Sequence, residues 1–75
     1  MTVAHSFFVR PRNDARHGHV VEAASFEEAA MAFVERWSPP VDADGDVALV
    51  VRDRDNGREL CLRLDLDSGE AQPCG

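Results

Sequence analysis

The sequence predicts an α+β fold: a two-layer β-β-α-β-β sandwich with one helix packed on a mainly antiparallel sheet of four to five strands. Three observations predict it. Asn56-Gly57 lies between two runs of alternating apolar and polar residues, the signature of a β-hairpin. Ser25 is followed three residues later by Glu28, at the head of an apolar stripe of helical period. Ala4–Arg10 is rich in strand formers and stops at Pro11. Seventy-five residues make one domain, spanning 1–75.

In Ala4–Arg10, Phe7 and Val9 point to one face and Phe8 to the other. A strand that is apolar on both sides belongs in the interior, so we place it centrally. Pro11–Gly18 is a polar loop of turn formers, and His19–Ala23 is a short second strand. With Ser25 as N-cap, Glu28 completes a capping box, and Glu27 and Glu28 put negative charge at the positive end of the helix. Phe26, Ala29, Ala30, Phe33, Val34 and Trp37 form one apolar stripe. The helix must end near Trp37, because Ser38 precedes Pro39-Pro40 and proline cannot continue it. Val41–Gly45 is an acidic linker.

From Asp46 the period changes to alternation: Val47, Leu49 and Val51 against Ala48, Val50 and Arg52, then Leu60, Leu62, Leu64 and Leu66 against Cys61, Arg63 and Asp65. A two-residue loop at Asn56-Gly57 sets Asp55 opposite Arg58. Val51 then faces Leu62, Leu49 faces Leu64 and Val47 faces Leu66. One face of the hairpin is thereby aliphatic and packs under the helix, while the other carries charges with Ala48 and Val50. Asp67-Ser68-Gly69-Glu70 reads as a second tight turn into a brief edge strand, Glu70–Cys74, where Pro73 is tolerated. This register sets Cys74 opposite Arg63.

Lys, Ile and Tyr are absent and all eight cations are Arg, a bias that fits a GC-rich bacterial genome. The net charge of −6 is uneven: residues 1–21 carry +2, whereas residues 22–75 hold five Arg against thirteen acids, or −8. An acidic chain with one short basic segment disfavours nucleic acid as a partner. No apolar run approaches the roughly 20 residues that span a bilayer, and no cationic start leads into an apolar stretch, so we expect a cytoplasmic protein without membrane contact.

Candidate chemistry is sparse. His5, His17 and His19 with Cys61 and Cys74 lack the spacing of a zinc site, and we expect no metal and no cofactor. Without a signal segment, and with Cys74 opposite Arg63, the cysteines are expected to be reduced thiols. Asp42, Asp44 and Asp46 miss the Gly and Glu positions of a calcium loop, and Asp53-Arg54-Asp55-Asn56-Gly57 has its Gly one position early. Both read as turn and linker acids. Ser6, Ser25, Ser38 and Ser68 sit in a strand, a cap or turns, and no Gly-rich phosphate loop exists, so no enzyme is expected. The most distinctive polar feature is the Arg10–His19 loop, whose Arg10, Arg12, Arg16, His17 and His19 form the candidate binding set.

The run Val21–Ala30, the acidic linker, the valine strand and Cys61–Glu70 together resemble a family of small uncharacterised proteobacterial proteins, a domain of unknown function. That resemblance implies no catalytic residues. The strand–Ser-x-Glu-Glu-Ala–helix piece is also similar to the N-terminal part of HicB-type antitoxins. Two functions are expected from different classes. The first is a non-enzymatic protein-interaction or regulatory module with an unknown protein partner, self-associating as a homodimer. The second is a small ligand- or nucleic-acid-binding module using the Arg10–His19 loop.

Overall fold

The computed structural model describes residues 4–39, 41 and 43–74. In chain order its elements are β1 (His5–Pro11), a 3-10 turn (Ala15–His17), β2 (His19–Ala23), α1 (Phe26–Trp37), β3 (Asp46–Asp53), β4 (Glu59–Asp65) and β5 (Ala71–Pro73). Pro40 and Asp42, assigned above to the helix stop and the acidic linker, lie outside the described residues.

All four strand pairings are antiparallel, and the sheet order is β2-β1-β3-β4-β5. The centre is β3 and not β1. At eight residues it is the longest strand, with Val47, Leu49 and Val51 buried under the helix and Val50 buried on the far side. β1 lies one place in from the edge, between β2 and β3. It includes Pro11, opposite Leu49. Even-numbered residues of β1 bond toward β3, as the Arg12 N–H to Ala48 C=O bond of 2.9 Å shows. The missing N–H of Pro11 therefore points to the other side, beyond the start of β2 at His19, where no ladder bond is lost.

α1 begins as the sequence predicts. Ser25 is extended, and its Oγ accepts the Glu28 N–H at 3.1 Å. The helix ends in a left-handed Ser38 (φ 44°), whose N–H donates to the Val34 carbonyl at 3.0 Å before Pro39 stops it. Ala29 and Ala30 are fully buried and let the helix approach the sheet closely, while Phe33 is buried in the same core cluster as Val9 and Leu49.

The β3–β4 hairpin corrects the expected register by two residues. Its loop is residues 54–57, with the Asp53 N–H donating to the Arg58 carbonyl at 2.7 Å and the Gly57 N–H to the Asp53 carbonyl at 2.8 Å. Val51 faces Leu60, Leu49 faces Leu62 and Val47 faces Leu64. Side-chain chemistry explains the longer loop. Asp53 Oδ1 accepts the Asp55 N–H and Asn56 Oδ1 accepts the Arg58 N–H, each at 2.8 Å, two Asx turns that wind the chain before Gly57 takes its positive φ of 76°. A shift of two keeps every strand residue on its expected face. It does remove Leu66 from the core: this residue, expected opposite Val47, lies in the next loop and is 44% exposed.

The second turn repeats the pattern. Asp65 Oδ1 accepts the Asp67 N–H at 2.9 Å, Gly69 adopts φ 74°, and the Asp65 N–H bonds the Glu70 carbonyl at 2.9 Å. Arg63 consequently faces Gln72, and the Cys74 N–H donates to the Cys61 carbonyl at 2.9 Å. Cys61 and Cys74 are joined in a disulfide, which corrects the expectation of reduced thiols. A two-residue turn sets Cys74 against Arg63, whereas the longer loop sets it against Cys61.

Candidate functional site

The loop between β1 and β2 is organised by Asp14. Its Oδ1 accepts the Arg16 N–H at 3.1 Å and caps the 3-10 turn, while His17 donates through Nδ1 to Oδ2. The His17 ring first, and the Arg16 N–H with it, hold the Asp14 carboxyl below its ordinary range. Beside this pair, His19 stacks on Trp37, the ring centroids 4.1 Å apart and the planes 5° from parallel. Phe33 lies 5.3 Å from Trp37, and the Arg36 guanidinium sits 5.3 Å from the same indole.

Asp14, His17, His19, Phe33 and Trp37, with Pro11, Ser38 and Pro39, line a cleft of about 270 Å³ at the C-terminal end of α1. Small-molecule sites usually run from about 300 to 1,000 Å³. The cleft thus has room for a small fragment or one side chain. Ser38 shares the cleft with His17, and among the described residues no hydrogen bond joins them.

The structure divides the residues singled out from sequence. His17 and His19 meet in the cleft. Arg12 and Arg16 are exposed on the loop. Arg10 alternates to the opposite face of the sheet, where it faces Val50 on β3. The five residues are therefore not one site. Asp14 and Trp37 complete the cleft and were missed; the Asp14-x-x-His17 spacing was the local signal for the first of them.

Arg10 belongs to a second surface. α1 covers one face of the sheet, and the other face carries Phe8, which sits between Val20 on β2 and Arg52 on β3. Arg10 follows Phe8 by two positions on the same face, and Arg54 reaches the same strand through Nη1 to Ser6 Oγ at 3.2 Å. Phe8, Val20, Arg52, Arg54 and Gly57 line a depression of about 370 Å³. Among the described residues none of Arg10, Arg52 and Arg54 is ion-paired, whereas Arg63 on the same face lies 3.4 Å from Asp46 and 3.7 Å from Asp44. The outward positions of β1 and β3 were legible one strand at a time. Their convergence needed the strand order.

Fold and surface define a small α+β domain with a helix on one side of an antiparallel sheet and an arginine-framed aromatic on the other. Residues 5–75 match the family of unknown function DUF5961, and the chain belongs to that family. No curated protein matches it, and no solved structure does. Among the described residues, no helix is long and apolar enough to cross a membrane.

Proposed function

We propose that the domain is a non-enzymatic protein-interaction module that docks an acidic partner protein on its uncovered sheet face. The observation that carries this reading is Phe8 in one depression with Arg52 and Arg54, with Arg10 two positions further along the same face, three guanidiniums without a carboxylate partner among the described residues, in a chain of net charge −6. Aromatic and arginine side chains are the residue types that concentrate binding energy at protein interfaces. The partner is an acidic segment with an apolar side chain to lie over Phe8. A twofold contact centred on Phe8 would set the arginines against their own copies, so the proposed occupant is a different protein and not a second copy. The Cys61–Cys74 pairing favours an oxidising compartment over the cytoplasm expected from sequence.

The test is a titration of the ¹⁵N-labelled domain with a Glu-rich peptide containing one Trp, a Lys-rich control peptide and a single-stranded oligonucleotide. Shifts confined to Phe8, Arg10, Val20, Val50, Arg52 and Arg54 with the acidic peptide, lost in R10A/R52A/R54A, are expected. No saturable shift, shifts in the Trp37 cleft instead, or preference for the oligonucleotide would overturn the reading. A doubled mass in light scattering without any peptide would replace the partner by a second copy.

A further inference from the structure

We infer that His5, Asp53 and Asp55 form a binding site for a divalent first-row transition metal at the corner where β1 meets the β3–β4 loop. One ligand atom from each residue lies within 4.8 Å of the others, and His5 Nδ1 is 3.5 Å from Asp55 Oδ2. His5 is about fifty positions from the two aspartates in sequence, and they come together because Phe7 pairs with Asp53 across the sheet, with His5 one alternation away on the same face.

A second observation concerns Asp53 alone. It occupies the helix-side row of β3 that otherwise holds Val47, Leu49 and Val51, and at 6% exposure it is the buried charged side chain among the described residues. Its recorded partner is the Asp55 N–H, bonded to Oδ1, and among the described residues no Arg is ion-paired with it. Arg54, between the two aspartates, turns to the other face of the sheet and bonds Ser6 Oγ. A buried carboxylate beside a second carboxylate is costly unless a cation compensates it. The His5 imidazole, 3.5 Å from Asp55, supplies the neutral nitrogen ligand that complements two carboxylates around a 2+ ion.

One imidazole and two carboxylates suit zinc, manganese or ferrous iron better than calcium, which takes oxygen ligands alone. Three protein ligands leave a position for water or an exogenous ligand, as in an open zinc site. Nothing in this assignment depends on the Phe8 surface, which lies across the sheet.

The test is zinc titration of the oxidised, disulfide-intact protein, followed by calorimetry and by ¹H–¹⁵N spectra of the histidine rings. A single saturable site with its largest ring shift at His5 is expected, and His5→Ala or Asp55→Asn should each weaken it by at least about tenfold. Both residues are partly or fully exposed, so these variants keep the fold even if Asp53→Asn does not. His17→Ala should bind as the parent does. Absence of saturable binding at submillimolar zinc overturns the site, as does binding that survives His5→Ala or is lost in His17→Ala.

Discussion

Cys61 and Cys74 face each other across β4 and β5 with Cα atoms 5.2 Å apart, and their disulfide closes a loop over a separation of 13 residues. β5 has little else to hold it: it is three residues long, Gln72 and Pro73 are exposed, and Ala71 is only half-buried. The strand nevertheless covers the edge of β4, beside Leu62 and Leu64. Closing a loop of this size restricts the unfolded chain by about 3 kcal/mol. Urea unfolding with and without reductant, or of Cys61→Ser/Cys74→Ser, should show a loss of that order. An unchanged midpoint would mean that β5 docks without its covalent tie.

Most of the fold was legible because its signals are local. The capping box at Ser25, the 26–37 stripe and the strand alternation each involve residues a few positions apart, and each falls where expected. The face of each strand residue is the same in either register, since a slip of two conserves parity. Loop length was not legible. Asn56-Gly57 carries the two-residue signal, but Asp53 and Asn56 each bond a backbone N–H two residues on and convert it into a four-residue loop. The disulfide, the Phe8 surface and the His5–Asp53–Asp55 trio all depend on pairing between distant strands. They became visible only with the strand order.

The corrected register separates two leucines that sequence alone treats alike. Leu64 is fully buried opposite Val47, whereas Leu66 is in a loop. Leu64→Ala should destabilise by about 2–5 kcal/mol. Leu66→Ala should stay within about 0.5 kcal/mol of the parent. Chemical denaturation of the two variants decides between the registers, because the two-residue loop would bury both.

Gly18 is a steric requirement and not a conformational one. Its φ of −84° suits any residue, but a Cβ there would lie 2.2 Å from Phe8 Cζ. Gly18→Ala must displace the Phe8 ring, at a cost of about 1–3 kcal/mol. In a Phe8→Ala background the same substitution should be close to neutral. A double-mutant cycle by urea unfolding measures this coupling, and additive effects would show that the ring is not what Gly18 accommodates.

The Asp14–His17 pair gives the cleft a pH dependence with a definite sign. Asp14 is held below its ordinary value of 3.8, chiefly by the His17 ring and then by the Arg16 N–H. A carboxyl with a lowered folded pKa contributes fully above its unfolded value, and the contribution is lost as the pH falls through the folded one. Acidification below about 3.8 should therefore release His17 and uncap the 3-10 turn, while neutral and mildly alkaline pH leave Asp14 ionised. Carbon-detected titration of the Asp14 carboxyl should give a midpoint below that of an unstructured peptide carrying the same residues. The Arg16 amide should shift with that midpoint. Both responses should vanish in Asp14→Asn, whose urea midpoint at neutral pH should barely move because the pair is solvent-exposed. An Asp14 midpoint equal to the peptide's would mean that the loop does not hold this geometry in solution and that the cleft lacks its outer wall.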